Sequence, residues 1–268
     1  MINVLSWNVA GRRDQLAAQL ERVLGQNPDV LALQELTAST YAPWCAGLLE
    51  AGYSVVSTVD LLSVPYPPPI KRKNFNLLAA RHTVALLPGL SFPDAEQAAV
   101  AFPEKYLATQ VVCDGLVIEV HNAHLPPGST RGIIKPHAFQ AIRRRLDEAT
   151  DQPQILCGDF NSPASEDEEG VTTWGHKHPS LRAMWDEAEQ GVLQHPRLRD
   201  VYRSLRTHGD EFEWSHRTRS GPKRYDHIYV SEELEPRSCR YWSEWVNEGL
   251  SDHAAVEAEL TPAAARSA

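Results

Sequence analysis

Five times along this chain a short apolar run, of the kind that forms a buried strand, ends in a cluster of chemically capable polar residues. The clusters are Ser6-Trp7-Asn8, Leu33-Gln34-Glu35, Asn122-Ala123-His124, Gly158-Asp159-Phe160-Asn161 and Leu250-Ser251-Asp252-His253. A sixth, Arg224-Tyr225-Asp226-His227, opens a strand-like run instead. In layered α/β proteins such strand ends are where sites assemble, because a rigid sheet positions side chains while loops give access. Each cluster alone has a plain reading: Asn8 as a turn residue, Glu35 as an exposed strand end, His124 as a satisfied histidine ahead of Leu125-Pro126. Asp159 and Asn161 resist that reading. They flank Phe160 on one side of an extended segment after Ile155-Leu156-Cys157, so both need partners or a ligand. Ser251-Asp252-His253 likewise sets an acid beside an imidazole between two hydrophobic stretches. Their joint occurrence points to one shared site.

The order of elements predicts a layered α/β architecture. Ile2 to Ser6 reads as a strand. Asp14 is the N-cap of a helix with Leu16, Leu20, Val23 and Leu24 on one face, ended by Gly25 and Pro28. A strand over Asp29 to Gln34 and a helix over Thr37 to Gly52 follow. Further strands are expected at Tyr53–Val59, Leu77–Leu87, Tyr106–Cys113 and Leu116–His121, with Asp114-Gly115 as a hairpin turn. Helices over His137–Thr150 and Pro179–Gln190 and strands over Gln154–Gly158, Arg224–Val230 and Ala254–Leu260 complete the pattern. Pro65-Tyr66-Pro67-Pro68-Pro69 reads as a stiff surface loop, and Glu166 to Glu169 as a solvated acidic loop. With no internal repeat or composition break, residues 1–261 are expected to form a single domain and 262–268 a frayed tail.

Composition narrows the function classes. With 268 residues, 42% of them hydrophobic, the chain can bury a large core without disulfides or a structural metal. Cys45, Cys113, Cys157 and Cys239 are scattered, with no CxxC pair or zinc spacing, and read as reduced, mostly buried thiols. Met1-Ile2-Asn3 lacks the basic start of a secretion signal, and no apolar run approaches the roughly 18 residues of a membrane span. The expectation is a soluble cytoplasmic protein without an obligate protein partner. A net charge of −9 argues against adhesion to nucleic acid through bulk charge. It leaves room for a nuclease, since a carboxylate-rich metal site is itself acidic and a local basic strip can hold a backbone. Lys71-Arg72-Lys73, Arg131 with Lys135, and Arg217 through Arg224 are such strips, or simply solvated faces.

The segments SWNVAG, LALQE, NAHLPPGS, ILCGDFNSP, KRYDHIYVS and GLSDHAAVEAEL together resemble the exonuclease–endonuclease–phosphatase (DNase I-like) superfamily. The likeness spans Ser6 to Leu260. It implies a four-layer α/β/β/α sandwich of two mixed β-sheets flanked by helices. His124 stands where abasic-site endonucleases usually carry other polar contacts, which points toward the broader phosphatase-like branch. The resemblance also implies roles. Glu35 and Asn8, with Asp252, are oxygen ligands for a hard cation, Mg²⁺ or Mn²⁺. The ion would polarise the phosphoryl oxygens and carry charge on the leaving group. His253 is a general base or phosphate contact whose other ring nitrogen is held by Asp226. Asp159 is the competing base, with Asn161 orienting water or phosphate, and His124 a donor to a non-bridging oxygen. Arg131, Lys135 and Arg224 are candidate substrate contacts, and Trp242 with Trp245 either stacks on a base or packs in the core. The function expected is a divalent-metal-dependent phosphodiesterase or nuclease acting on a phosphate ester, with DNA and RNA as candidates. The alternatives are a phosphomonoesterase for a small phosphorylated metabolite or lipid head group, and a silent binding module. The presence of Asn8, Glu35, Asp159, Asn161, Asp226 and His253 speaks against silence.

Overall fold

The strands of this chain carry apolar side chains on both faces, so each sheet must be covered on both sides. The computed structural model describes residues 1–61, 74–87, 102–127, 132–148, 152–167, 170–172, 179–206 and 213–263. One six-stranded sheet runs in the order β15 (Leu234–Trp242), β16 (Ala255–Pro262), β1 (Ile2–Asn8), β2 (Val30–Leu36), β4 (Phe75–Arg81), β3 (Tyr53–Ser57). A second runs β11 (Leu198–Asp200), β14 (Asp226–Ser231), β8 (Gln154–Asp159), β7 (Leu116–His124), β6 (Tyr106–Cys113), β5 (Ala85–Leu86). Two ribbons stand apart: β9 (Ser165–Asp167) with β10 (Gly170–Thr172), and β12 (His216–Thr218) with β13 (Gly221–Lys223).

Period-two alternation along these strands builds three cores. Ile2 and Val4 of β1, Val30 and Ala32 of β2, and Leu78 and Ala80 of β4 meet Ile155, Cys157, Ile228 and Val230 of the other sheet. Their neighbours Leu5, Trp7, Leu31, Leu33, Leu77 and Ala79 turn the other way, onto Val23, Trp44, Leu48 and Trp245 of the helices outside. On the far side Tyr106, Leu156 and Tyr229 meet Phe139, Ile142, Leu146, Ala188 and Val192 of the helices Ile134–Glu148 and Pro179–Leu193. Three interfaces make four layers. The expected α/β/β/α sandwich is what forms.

Both sheets share one pattern. Their two central strands are parallel (β1 with β2, β7 with β8), and every other pairing is antiparallel. Each sheet therefore presents the carboxyl ends of two central strands, flanked by the starts of their neighbours, at one edge. Ligand sites in open α/β sheets favour such edges.

Several local expectations shift. Gly25 lies inside the helix Leu16–Gln26, which ends instead at Asn27, whose left-handed backbone (φ 51°) takes over the C-cap. Asp14 sits within a preceding 3-10 turn, Arg13–Gln15, and Gln15 holds the N-cap position. The tight turn at Asp114-Gly115 forms with positive φ at both residues, 50° and 80°. Pro262, assigned to the frayed tail, still pairs with Leu234, and Ala263 donates to the Glu233 carbonyl. Glu166 is not solvated: it lies in β9 and pairs with Arg203 and Arg224. Residues 65–69, 71–73, 168–169 and 264–268 lie outside the described residues. All four cysteines are free, three of them buried. Among the described residues no helix is long and apolar enough to cross a membrane.

Candidate active site

At the strand-end edge, backbone geometry decides first. Gly158 opposes Ala123 in the parallel β7–β8 ladder with φ 134°, and a Cβ there would sit 1.9 Å from the Ala123 carbonyl oxygen. Only glycine lets the two strands close at this point. The next residue, Asp159, is thereby delivered into the site. Its Oδ1 accepts from the Asn161 backbone N–H at 2.9 Å, and its Oδ2 accepts from Asn8 Nδ2 at 3.0 Å and Asn161 Nδ2 at 3.3 Å. Oδ2 also lies 3.7 Å from His124 Nε2 and 3.9 Å from His253 Nε2. Burial and the nearby Asp226 carboxylate push Asp159 up to about 7, against the pull of His253 and the hydrogen bonds from Asn161 and Asn8.

Glu35 reaches the same edge through a β-bulge. Leu33 pairs with Leu77 and Leu36 with Phe75, so Gln34 and Glu35 stand opposite Asn76 alone. Glu35 takes the left-handed region (φ 61°), which turns its carboxylate to 3.3 Å from His124 Nε2. Asn122 crosses from β7 to hold the distortion, its Nδ2 donating to the carbonyls of Leu33 (3.0 Å) and Leu77 (2.9 Å). Gln34 Nε2 donates in turn to Asn122 Oδ1 at 2.9 Å and to Ser6 Oγ at 3.1 Å. The two sheets are locked together directly beneath the site.

Asp226 opens β14 opposite Asp159, and its Oδ2 accepts from His253 Nδ1 at 2.8 Å. Burial opposes charge on His253, but Asp226 and Asp159 outweigh it and raise the imidazole to about 10. The turn before it is fixed twice: Ser251 Oγ donates to the Asn8 carbonyl at 2.6 Å, and Trp7 Nε1 donates to the His253 carbonyl at 2.9 Å. His124 is held well below its ordinary value by burial, then by Lys105 and His253, and is therefore neutral. Lys105 Nζ lies 3.2 Å from His124 Nδ1. An ammonium can only donate, so that nitrogen is the acceptor and Nε2–H faces Glu35 and Asp159.

The structure thus brings together Asn8, Glu35, His124, Asp159, Asn161, Asp226 and His253. Asp252 is exposed, and its carboxylate groups with the rings of His216 and His253, one ligand atom from each lying within 4.8 Å of the others. Two assigned substrate contacts need correction. Lys135 is buried below the site, donating to the Asn161 carbonyl (2.8 Å) and paired with Glu189 (3.3 Å), so it anchors the Asn161 loop. Arg224 is buried between Glu166 and Asp200, because those carboxylates would otherwise be stranded in the interior. Arg131 lies outside the described residues. Trp245 is core, stacked on Trp242 at 5.3 Å and tilted against Trp7 at 4.9 Å, and Trp242 commits its Nε1 to Glu257. Two site residues escaped the sequence reading. Lys105 comes from a 3-10 turn, Pro103–Lys105, and His216, stacked on His253 with centroids 4.4 Å apart, comes from the polar β12–β13 ribbon. His216 follows no apolar run, the signal that exposed the others, and Lys105 precedes a strand, Tyr106–Cys113, rather than ending one.

A half-exposed carboxylate, a buried carboxylate of near-neutral proton affinity and an acid-supported imidazole, at the edge of a four-layer sandwich, define a class: the phosphoric ester hydrolases. The Endonuclease/Exonuclease/phosphatase family model matches residues 5–253, and the chain belongs to that family. No curated protein matches the sequence. Among solved structures, the fold is similar to an AP endonuclease from Archaeoglobus fulgidus (18% identity, TM-score 0.71, covering 97% of this chain and 99% of that one). It is similar also to the 3′ phosphatase NExo from Neisseria bound to a product DNA hairpin (22%, 0.70, 97% and 100%). A third is D. rerio TDP2 complexed with a single-strand DNA product (18%, 0.68, 97% and 98%).

Proposed function

We propose that the chain is a divalent-metal-dependent phosphodiesterase of nuclease type, hydrolysing its ester with water activated by Asp159. The observation that carries this reading is the meeting of Asn8, His124, Asn161 and His253 around one oxygen, Asp159 Oδ2. A carboxylate raised toward neutrality accepts a proton from water more readily than an ordinary one, and it does so here within reach of two imidazoles. His253, raised by two carboxylates, stays protonated and serves as a cationic donor to a phosphoryl oxygen rather than as the base. His124 supplies a second, neutral N–H donor. Asp226 holds the tautomer and charge of His253, as the acid of any acid–imidazole dyad does.

The donor set fits a hard cation. Glu35 accepts no hydrogen bond from a described backbone or amide group, facing only His124 at 3.3 Å and the charge of Lys105, and Asn8 Oδ1 accepts only the Ala10 N–H at 3.0 Å among the described residues. An oxygen-only pair of this kind suits Mg²⁺ or Mn²⁺, which keeps several waters and meets substrate phosphate. When bound, the ion would neutralise phosphoryl and leaving-group charge. The diester preference draws on likeness to the fold of an AP endonuclease, while the 3′ phosphatase on the same fold stands for the monoester alternative.

The test is a metal-supplemented screen of bis-p-nitrophenyl phosphate, p-nitrophenyl phosphate, and single- and double-stranded DNA and RNA. Glu35→Ala, Asp159→Asn and His253→Ala run beside the wild type. EDTA should abolish turnover, and each substitution should lower it at least about 10²-fold, the low end for a positioned acid–base group. Activity confined to the monoester selects a phosphomonoesterase instead. Full turnover by Asp159→Asn removes the assigned base.

A further inference from the structure

We propose that the β12–β13 ribbon is a cationic arm that holds a single nucleic-acid strand beside the catalytic imidazole. This rests on the phosphodiesterase reading of the site and names its substrate class. The ribbon is tied to the site at its root. His216 forms an isolated backbone bridge with His253, donates from Nδ1 to the Asp252 carbonyl at 3.0 Å, and lays its ring on His253. Whatever lies along the ribbon lies along a path that ends at His253.

Its charge is opposite in sign to that of the whole chain. Between Glu213 and Asp226 there is no acidic residue, while Arg217, Arg219, Lys223 and Arg224 fall in that interval of a chain whose net charge is −9. Arg224 is consumed inside by Asp200 and Glu166. Glu213 and Asp226 are committed to Arg206 and His253. Elsewhere arginines such as Arg22, Arg81, Arg145, Arg199, Arg203 and Arg240 sit against carboxylates. Among the described residues, Arg217, Arg219 and Lys223 make no ion pair, and the two arginines are exposed.

The geometry spreads these cations rather than burying them. Lys223 pairs directly with His216 and so shares the ribbon face that meets His253. Arg217, opposite Pro222, lies on the other face with its guanidinium 4.4 Å from the Trp214 ring centroid. Arg219 stands in the turn, which Thr218 Oγ1 closes by donating to the Gly221 carbonyl at 2.9 Å. Arginines free of carboxylates on a two-stranded element suit repeated phosphates, and Trp214 supports the Arg217 guanidinium from beneath. A lipid surface would also be anionic. A narrow ribbon leading into a buried site fits a strand better than a plane.

The experiment uses the full chain with Arg217→Gln, Arg219→Gln and Lys223→Gln combined, and the exposed pair Arg217→Gln with Arg219→Gln as a milder variant. Turnover of bis-p-nitrophenyl phosphate by the Arg217/Arg219 pair variant should stay within about twofold of wild type, because Arg217 lies on the ribbon face away from His253 and Arg219 in its turn. KM for a labelled single-stranded oligonucleotide should rise about 10-fold or more in the triple variant. The slope of log kcat/KM against log salt should flatten by about two, from three cations at roughly 0.7 each. An oligonucleotide KM and salt slope equal to wild type would overturn the arm. So would an equal loss on the small diester, or a loss confined to sedimentation with phosphatidylserine vesicles. If the wild type cleaves no diester, the hydrolytic reading fails by itself. Fluorescence anisotropy of the same oligonucleotide then reads the arm alone, and unchanged binding by the triple variant sinks it.

Discussion

Asp226 makes a single hydrogen bond to His253, yet its charge acts on two titrating groups with the same sign. It repels the charge that Asp159 would carry and attracts the charge that His253 carries, and it thereby raises both. Hydrolysis on the proposed mechanism needs Asp159 ionised and His253 protonated. The rate should therefore rise as pH climbs through the Asp159 value near 7 and fall as pH passes the His253 value near 10. Replacing Asp226 with Asn removes the field while keeping a side chain of similar shape. Both limbs of the kcat/KM profile should then move to lower pH, the alkaline one toward the ordinary imidazole value of about 6.5. An alkaline limb that stays in place would mean that His253 is not the group being titrated. Of the site residues, those that follow apolar runs were open to a reader of the sequence. The φ of Glu35 was not, because a bulge is created by the pairing of β2 with β4 rather than by either strand alone.

At the scale of elements, charge ties the ribbon β9–β10 to the sheet. Glu166 of β9 pairs with Arg203 and Arg224, and Arg224 continues to Asp200 at the end of β11, 2.6 Å away. Burial would push Asp200 up, yet Arg224 and His227 outweigh it and hold its carboxyl well below the usual range. Removing one partner from such a group leaves uncompensated buried charge. Arg224→Met should cost about 3–5 kcal/mol in urea unfolding. Turnover per folded molecule should change little, since Arg224 is buried with its guanidinium spent on Glu166 and Asp200; a selective rise in KM would restore it as a contact. The sequence presented Arg224 beside Asp226 and so suggested a site role, because linear order cannot say which neighbour faces inward. β15 was hidden for another reason. Leu234 to Trp242 carries Pro236, Arg237 and Arg240, and its outer residues face water, as an edge strand's must. The central strands were legible because burial on both faces leaves an uninterrupted apolar run. Edge strands and polar ribbons leave no such trace, and His216 arrived with one of them.

For the whole molecule, folding gathers acid at one edge of an already acidic chain. Four strand ends and two strand starts bring Glu35, Asp159 and Asp226 to the same place, where Lys105, His124 and His253 stand as their nearest partners. The conformation that builds the site therefore carries electrostatic work that the unfolded chain, with its carboxylates far apart in water, does not. A cation that binds the folded edge and not the unfolded chain must shift the unfolding equilibrium by mass action. At Mg²⁺ a hundredfold above its dissociation constant the gain is about 2.7 kcal/mol. For a chain of this size that corresponds to a rise in Tm of roughly 5–10 °C. Sodium chloride at matched ionic strength only screens, and should give a smaller rise that saturates with the Debye length. Glu35→Gln removes the least engaged of the carboxylates, so its Tm in EDTA should not fall, while the Mg²⁺ increment should largely vanish. The decisive comparison is the increment, measured by thermal melts of both proteins with EDTA, Mg²⁺ and matched NaCl. An undiminished increment in Glu35→Gln would place the cation elsewhere on the molecule, and the strand-end edge would then have to neutralise a phosphate with its lysine and histidines alone.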